Sequence, residues 1–245
     1  MTDDTSAPHW EQVAEEWTTW ARTPGHDVFW DFRTAFRDFL PAPGDHTLEL
    51  GCGEGRISRE LTDLGHRVTA SDLSPSLLHA AERSDSAAEY HLADATALPF
   101  PDGGFDRVVA YNMLMDVPDM PAAVREAARV LSPSGVLTLS VVHPFFDRGR
   151  FTTQSPDADL VISGELDYHA SREFRGTETR DGLTMRFHGW SHSLGTYTDA
   201  LYRAGFTITE LREPRPAADP ETAPGRRTRW QRLPLFLWIN ARKGA

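Results

Sequence analysis

Between residues 46 and 142, short apolar runs alternate with amphipathic segments, and this alternation limits the folds open to the chain. The apolar runs predict strands over 46–50, 67–70, 89–93, 106–111 and 135–142. The segments between them predict helices over 56–64, 75–82 and 120–130. Strands that alternate with helices favour an α/β fold in which a parallel sheet is covered by helices on both faces. Ligands of such sheets bind at the carboxyl ends of the strands.

The segments on either side of this core have different patterns. Residues 9–40 are rich in aromatic side chains, and positions 29, 32, 36 and 39 follow the spacing of one helix face. Pro24-Gly25 divides this stretch into two predicted helical pieces. In residues 143–190 the alternation of strands and helices stops, and this segment predicts a partly β insertion that covers the ligand site at the strand ends. A helix over 193–204, which ends at Gly205, and strands over 206–210 and 235–241 complete the prediction.

Charge and composition narrow the class of partner. The net charge of −11 disfavours binding to nucleic acid, which usually requires a basic face. Cys52 is the only cysteine, so no intrachain disulfide is expected. The polar, acidic N-terminus does not resemble a signal peptide, and no apolar run approaches the roughly 20 residues that span a bilayer. We therefore expect a cytoplasmic protein, a monomer or homodimer, that does not bind membranes.

A local group of arginines departs from the acidic average. It consists of Arg226, Arg227, Arg229 and Arg232. The group is either a site for an anion or a partner, or a solvated arginine-rich loop, and the second interpretation is the more ordinary one.

The segment from Thr47 to Gly55 carries the strongest motif. An apolar strand runs into glycines at alternate positions, Gly51, Gly53 and Gly55, and a predicted helix follows. Glycine allows a positive φ and lets a ligand approach the backbone closely. Dinucleotide sites more often have the spacing G-x-G-x-x-G, and here Arg56 stands where that pattern requires its last glycine. Glu49 disfavours a pyrophosphate and favours a cationic ligand. A simple tight turn between strand and helix remains the alternative.

The next strand ends in Asp72. An acidic residue about 20 positions after a glycine turn can accept hydrogen bonds from both ribose hydroxyls. Asp72 is alternatively a helix cap, although Ser74 fits the cap before Pro75 better. We expect Leu73 to flank an adenine ring.

Together these motifs resemble those of class I S-adenosylmethionine-dependent methyltransferases, of the type that acts on small molecules. The glycine turn resembles motif I of that family, which implies that Glu49 lies near the methionine ammonium and that Gly51, Cys52, Gly53 and Gly55 form the cofactor turn. The segment from Asp94-Ala95 to Phe105-Asp106 is similar to a second family motif, which implies that Asp94 and Ala95 contact adenine. Asp94 is otherwise an ordinary turn aspartate. The segment 129–137 resembles the family's turn before the fifth strand, with Ser134 in place of a glycine.

The resemblance implies a division of the single domain, 1–245. Residues 1–44 are expected to form an N-terminal helical cap, 45–142 the cofactor-binding core, 143–192 the substrate-covering insertion, and 193–245 the last helix and strands. The fold implied is a Rossmann-like, mostly parallel seven-stranded sheet. The implied cofactor is S-adenosylmethionine, and S-adenosylhomocysteine is its product.

The end of the fourth strand supplies further candidates. The family resemblance implies that Tyr111, Asn112 and Met115 pass beside the methionine part of the cofactor. Asn112 either orients the substrate or caps the turn. Trp20, with Trp17, is expected on a helix over the site, where an indole ring can stabilise a sulfonium. Asp116 has no neighbouring Asp-Asn pair for magnesium, so we expect no metal.

Methyl transfer from a sulfonium is an in-line displacement that depends on positioning and on exclusion of water. A base is useful if the nucleophile carries a proton. His143 at the end of the fifth strand and His192 before the last helix are the candidates, followed by His188. Each is equally well explained as a structural or surface histidine.

Three functions remain open at this point. The first is methyl transfer to an oxygen, nitrogen or carbon atom of a small molecule. The second is a methyltransferase-like protein that holds the cofactor without transferring its methyl group, or that catalyses another reaction. The third is a nicotinamide-dependent oxidoreductase, which the glycine spacing and Asp94 disfavour.

Overall fold

The computed structural model describes residues 6–23, 25–153, 155, 157–164, 166–216 and 229–244. Pro24, Arg226 and Arg227, which figure in the sequence predictions, lie outside these ranges. The helices are α1 Ser6–Gln12, α2 Ala14–Arg22, α3 Phe29–Phe39, α4 Arg56–Asp63, α5 Pro75–Glu82, α6 Met120–Val130, α7 Pro144–Asp147 and α8 Leu194–Arg203. The strands are β1 Thr47–Leu50, β2 Val68–Asp72, β3 Glu89–Leu92, β4 Phe105–Tyr111, β5 Leu131–Val142, β6 Gly149–Phe151, β7 Leu160–Ile162, β8 Arg172–Arg180, β9 Leu183–Ser191, β10 Phe206–Arg212 and β11 Phe236–Lys243.

Seven strands form the central sheet in the order β10-β11-β5-β4-β1-β2-β3. Strands β1 to β5 pair in parallel, whereas β11 is antiparallel to both β5 and β10. The order reverses between β1 and β4, and this switch point opens the crevice in which ligands of α/β sheets bind. The expectation of a Rossmann-like, mostly parallel seven-stranded sheet is confirmed.

Successive side chains of a strand point to opposite faces of the sheet, and both faces are buried. Along β4, Val108 and Ala110 belong to one apolar cluster, and Val109 and Tyr111 belong to the other. The second cluster includes the aromatic face of α3, whose four phenylalanines are fully or almost fully buried: Phe29, Phe32, Phe36 and Phe39. These rings pack edge to face with Tyr111 and with Trp238 of β11. The helical face predicted from their spacing is confirmed.

Side-chain caps set where several helices begin. Ser74 accepts a hydrogen bond from the backbone N–H of Leu77 at the start of α5, and Ser193 does the same for Thr196 at the start of α8. Ser74, rather than Asp72, is therefore the cap. Ser134 takes a φ of 63°, the left-handed conformation that the glycine of the related turn adopts readily.

The insertion after β5 consists of α7 and two antiparallel hairpins, β6–β7 and β8–β9. Strands β8 and β9 are joined by Asp181-Gly182, and both residues have positive φ. This is the backbone that a two-residue type I′ turn requires. The hairpin leads to α8 and places its inner face over the carboxyl ends of the sheet.

Candidate functional site

The glycine turn after β1 forms the floor of the site. Gly51, Gly53 and Gly55 all have positive φ, between 56° and 87°. A Cβ on Gly51 would lie 2.7 Å from the Cβ of Met113, so no side chain fits there. A Cβ on Gly53 would lie 3.1 Å from the Trp17 Nε1, which shows how closely α2 approaches the turn. We call this turn the glycine cradle: its packing leaves little space for side chains, and the backbone of Gly51 and Gly53 lines the cavity.

Asp72, at the end of β2, meets this turn. Its Oδ2 accepts a hydrogen bond of 2.7 Å from the Gly53 N–H, and its Oδ1 accepts one of 2.9 Å from the Ser74 N–H. Burial raises the pKa of Asp72, and these backbone hydrogen bonds oppose that rise. The carboxylate is therefore fixed in place at the cavity wall, and Leu73 lines the cavity beside it.

Asp94 occupies the equivalent place after β3. Its Oδ1 accepts hydrogen bonds from the N–H and the hydroxyl of Thr96, at 2.7 and 2.8 Å. This is the local turn that aspartate commonly stabilises. Asp94 and Ala95 also line the same cavity as Asp72, so the turn and the ligand interpretations are compatible.

The segment after β4 closes this part of the cavity. Asn112 has a φ of 51°, and its Oδ1 accepts a 2.7 Å hydrogen bond from the Ser140 hydroxyl. Its side chain therefore fixes the turn. Tyr111 and Met115 line the cavity with it. Burial raises the pKa of Tyr111, whose hydroxyl has no hydrogen-bond partner within the described ranges.

One cavity of about 1530 Å³ receives all of these strand ends. Its far walls come from α1, α2 and the β8–β9 hairpin, and they are largely aromatic. The aromatic side chains of these walls are Trp10, Trp17, Trp20, Phe174, Phe187 and Trp190. Trp20 is 2% exposed and packs edge to face with Phe187.

Helices α1 and α2 are attached on both sides of the cavity. On one side, the Glu11 carboxylate accepts hydrogen bonds from the Ser74 hydroxyl and from the N–H and hydroxyl of Ser76, at 2.5, 3.1 and 2.6 Å. On the other side, Arg186 of β9 pairs with Glu16 at 2.9 Å. The helices therefore form a roof between α5 and the hairpin.

Three residues of the predicted cofactor set support the site from beneath and do not line the cavity. The Glu49 carboxylate is buried and accepts a hydrogen bond from the Ser58 hydroxyl, and burial raises its pKa to about 8. Cys52 is buried, with its Sγ 3.6 Å from the carbonyl oxygen of Gly53. Gly55 faces Ser86 and Ala81, and a Cβ there would lie 2.4 Å from the Ser86 Oγ.

Neither of the histidines predicted as bases lines the cavity. The Nδ1 of His143 accepts a hydrogen bond from the Phe145 N–H and so caps α7, and its Nε2 lies 2.9 Å from Glu213. The Nδ1 of His192 lies 2.8 Å from the Ser171 hydroxyl, and burial lowers the pKa of His192 to about 4. The structural interpretation fits both residues better than the catalytic one.

His188 does line the cavity, and its Nε2 lies 2.7 Å from a Glu173 carboxylate oxygen. Arg229 corrects the interpretation of the arginine group as a solvated loop. It is 9% exposed, its guanidinium lies 4.0 Å from the centre of the Phe151 ring, and it also lines the cavity. Arg232 is exposed.

Two groups in the cavity escaped the sequence analysis. Arg56 is buried, stacks on the Phe29 ring at 4.4 Å, and pairs with Asp27 at 3.1 Å. Asp116 lines the cavity from the short 3₁₀ turn after β4. Arg56 was weighed only as a departure from a glycine pattern, and Asp116 only as a metal ligand. The signal available for Asp116 was its position just after the end of a central strand.

Comparisons with known proteins agree with this architecture. Residues 48–139 match the family described as a methyltransferase domain. A solved S-adenosylmethionine-dependent methyltransferase from Mesorhizobium loti is 27% identical, with a TM-score of 0.67, and the match covers 87% of this chain and 98% of that one. The malonyl-[acyl-carrier protein] O-methyltransferase of Serratia marcescens is 38% identical over 41% of this chain and 39% of its own length.

A ubiquinone biosynthesis O-methyltransferase of Xanthomonas oryzae is 37% identical over 42% of this chain and 46% of its own length. The chain thus spans less than half the length of these curated relatives. Residues 48–139 are a methyltransferase domain, and the fold and the strand-end site are similar to those of class I S-adenosylmethionine-dependent methyltransferases.

The methyltransferase domain and this similarity imply S-adenosylmethionine as the cofactor, and the residues present fit it. The glycine cradle excludes side chains, and the carboxylates of Asp72 and Asp94 stand at two successive strand ends of the same cavity. Across the described ranges, no group of three metal-binding side chains comes together. Within the same ranges, every helix is too short or too polar to span a lipid bilayer.

Proposed function

We propose that the chain transfers a methyl group from S-adenosylmethionine to an oxygen, nitrogen or carbon nucleophile of a small molecule, by in-line displacement and without a metal. The observation that carries this proposal is that the glycine cradle, two strand-end carboxylates and a wall of aromatic side chains share one cavity. Its volume of about 1530 Å³ exceeds the roughly 300–1,000 Å³ of typical ligand pockets. It therefore has room for the cofactor and a small acceptor together.

In this proposal the cofactor occupies the part of the cavity at the strand ends. Asp72 binds the ribose hydroxyls, Leu73, Asp94 and Ala95 surround the adenine, and Asn112 lies beside the methionine part. The remaining proposed contacts are Trp20, Gly51, Gly53, Tyr111 and Met115. Glu49, Cys52 and Gly55 act from beneath, by shaping the turn.

When bound, the cofactor supplies a methyl group on a positively charged sulfur. The chain holds the acceptor in line with that methyl group and keeps water away from it. The roof of α1 and α2 is suited to the second task, since it is attached to α5 by Glu11 and to β9 by Glu16. A metal is not needed for this displacement.

The proposed acceptor is a small molecule rather than a macromolecule. The insertion encloses the cavity, and the net charge of −11 opposes the approach of a nucleic acid. Two of the relatives are a malonyl-[acyl-carrier protein] O-methyltransferase and a ubiquinone biosynthesis O-methyltransferase, and we extend to this chain only the class of reaction. The cytoplasmic location and the monomeric or homodimeric state stay predictions.

Calorimetry followed by a turnover assay tests the proposal. The purified protein is titrated with S-adenosylmethionine and S-adenosylhomocysteine, and then incubated with S-adenosylmethionine and a panel of small hydroxyl, amine and carbon acceptors. We expect both cofactor forms to bind and S-adenosylhomocysteine to appear only with an acceptor. Binding without release across such a panel would favour a cofactor-binding protein that does not transfer methyl. Failure to bind either form would contradict the proposal.

A further inference from the structure

Asp116 differs from four other aspartates that line the cavity. The carboxylates of Asp27, Asp72, Asp94 and Asp119 all accept hydrogen bonds from backbone N–H groups. Across the described residues, no hydrogen bond or ion pair holds the carboxylate of Asp116, although it lines the same cavity. The described part of the protein therefore provides no partner for this carboxylate, and a group of a bound ligand can serve as that partner.

The surroundings keep this carboxylate facing the cavity. Asp116 ends the 3₁₀ turn Leu114–Asp116, which packs against β9 at Gly189. A Cβ on Gly189 would lie 2.8 Å from the Asp116 Oδ1 and 2.8 Å from the Met115 carbonyl oxygen. The Asp116 carboxylate therefore packs closely against the backbone of Gly189, and a side chain at position 189 would displace it.

Removal from water has a chemical consequence for Asp116. Burial raises its pKa well above the usual range of an aspartate, and the charge of Asp72 adds to this rise. A base is most effective when its pKa lies near the working pH. An ordinary exposed aspartate, with a pKa of about 3.9, is too weak for that task at neutral pH.

Other titratable groups share this corner of the cavity. Asp147 of α7 and Tyr197 of α8 line it, and burial raises the pKa of Tyr197, with smaller contributions from Asp147 and Asp116. His188 of β9 is the further titratable neighbour on the element that packs against the 3₁₀ turn. The residues of α6 and β5 that pack against the same turn place no titratable side chain in the cavity.

We propose that Asp116 is the catalytic base, and that the acceptor is an aromatic or similarly apolar molecule whose nucleophile carries a proton, a hydroxyl or an ammonium. This inference rests on the proposed function. The bond from oxygen or nitrogen to hydrogen breaks, and the proton passes to an Asp116 carboxylate oxygen. The freed electron pair forms the bond to the methyl carbon, while the carbon–sulfur bond breaks and leaves its electron pair on sulfur. The proton then leaves Asp116 for solvent.

The aromatic walls support the choice of acceptor. Phe187 and Trp190 come from β9, the strand that carries Gly189, and both line the cavity. Flat apolar acceptors fit against such rings, and an ammonium is further stabilised by an aromatic face. An acceptor without a removable proton would leave the Asp116 carboxylate without a partner.

The variant Asp116→Asn tests the inference, and Asp181→Asn is the matched control. Asp181 lines the same cavity, but its side chain is 90% exposed in a turn that asparagine also favours. The probes are substituted phenols and arylalkylamines with S-adenosylmethionine, and methylated products are measured by mass spectrometry. For a probe that the wild type methylates, we expect Asp116→Asn to lower kcat at least about 100-fold, and the control to stay within threefold.

Two further readouts separate a base from a structural residue. Affinity for S-adenosylhomocysteine, measured by calorimetry, should stay within twofold in Asp116→Asn. The pH dependence of kcat should lose its acidic limb. Normal S-adenosylhomocysteine affinity with kcat within threefold of wild type would overturn the role of Asp116 and leave the proposed function intact. Loss of S-adenosylhomocysteine binding by the wild type would overturn the proposed function, and this inference with it.

If none of the probes is methylated, infrared spectroscopy tests the role of Asp116 instead. When the pH is lowered from alkaline values, the wild type should gain a protonated-carboxyl band above the usual titration range of an aspartate, and this band should be absent from Asp116→Asn and present in Asp181→Asn. Phenol should shift this band, whereas its methyl ether anisole should not. Identical carboxyl bands in the wild type and Asp116→Asn would overturn the inference.

Discussion

The two halves of the cavity are built in different ways. At the strand ends, backbone geometry holds the proposed cofactor contacts, since Asp72, Asp94 and Asn112 are each fixed by hydrogen bonds within the sheet edge. Opposite them, the helices α1 and α2 and the β8–β9 hairpin contribute aromatic rings, and β9 packs against the 3₁₀ turn that carries Asp116, whose carboxylate has no partner among the described residues. The first half therefore suits a single fixed ligand, the cofactor. The second half suits an acceptor that is selected by the chemistry of the side chains around it.

The largest effect is expected from Asp72→Ala. The affinity for S-adenosylhomocysteine should fall about 100-fold, because hydrogen bonds to a charged group contribute about 1.5–3 kcal/mol each. Calorimetry measures the change, and Glu178→Ala, an exposed acidic residue at the cavity rim, is the control. An affinity within threefold of wild type would remove Asp72 from the cofactor half.

Gly51→Ala should lower the free energy of unfolding by about 2 kcal/mol, because the residue has a φ of 63° and its Cβ would overlap Met113. Gly182→Ala in the hairpin turn should cost about 1 kcal/mol, since its φ of 80° is strained but its surroundings are open. Gly164→Ala, with neither constraint, is the neutral control. Denaturant unfolding gives all three values, and equal costs at Gly51 and Gly182 would contradict the close-approach argument.

Glu49 should make the stability of the protein fall as the pH rises. Its pKa of about 8 when folded lies above the ordinary value of 4.5, so the folded state retains a proton that the unfolded state has lost. Stability therefore decreases from about pH 5 to pH 8. Glu49→Gln should reduce this decrease by about 3.5 kcal/mol, measured by urea unfolding at the two pH values. Parallel stability curves for wild type and variant would show that Glu49 is ionised in the fold.

His192 beneath the hairpin should act in the opposite sense. Its pKa of about 4 when folded lies below the ordinary 6.5, so between these values the unfolded state binds the extra proton. Stability is complete above about pH 6.5 and decreases as the pH falls towards 4. His192→Asn should reduce the decrease between pH 7 and pH 5 by about 2 kcal/mol. An unchanged dependence on pH, again by urea unfolding, would count against a buried neutral histidine.

The smallest effect should come from Phe174→Ala in the second half. Phe174 lines the cavity from β8 and is 43% exposed, far from the contacts that hold the strand ends. The affinity for S-adenosylhomocysteine should stay within twofold, while the KM for an acceptor should rise. A tenfold loss of cofactor affinity would show that the two halves are not separate.

The first half was largely predictable because local rules determine it. The glycines follow a strand, Asp72 ends the next strand, and Ser74 was recognised as the cap, so spacing alone places them at one sheet edge. The second half depends on contacts between distant segments. His143 was chosen because it ends β5, but capping of α7 and Glu213 occupy both of its ring nitrogens.

Two features of the second half differ in how far the sequence could reveal them. Asp181-Gly182 between two β-prone runs is a readable hairpin signal, and it would have defined the β8–β9 hairpin. The state of Asp116 was not readable, because it depends on Gly189 and on the burial that the hairpin and α8 produce together. When the chemistry of a residue depends on a neighbouring position that has no side chain, that chemistry can be recognised only in the folded structure.

A crystal structure of the protein with S-adenosylhomocysteine tests the account most directly. We expect the ribose hydroxyls on Asp72, the adenine beside Asp94, and the sulfur facing the part of the cavity that holds Asp116. A ligand bound elsewhere, or one in this cavity whose ribose and adenine touch neither Asp72 nor Asp94, would contradict it.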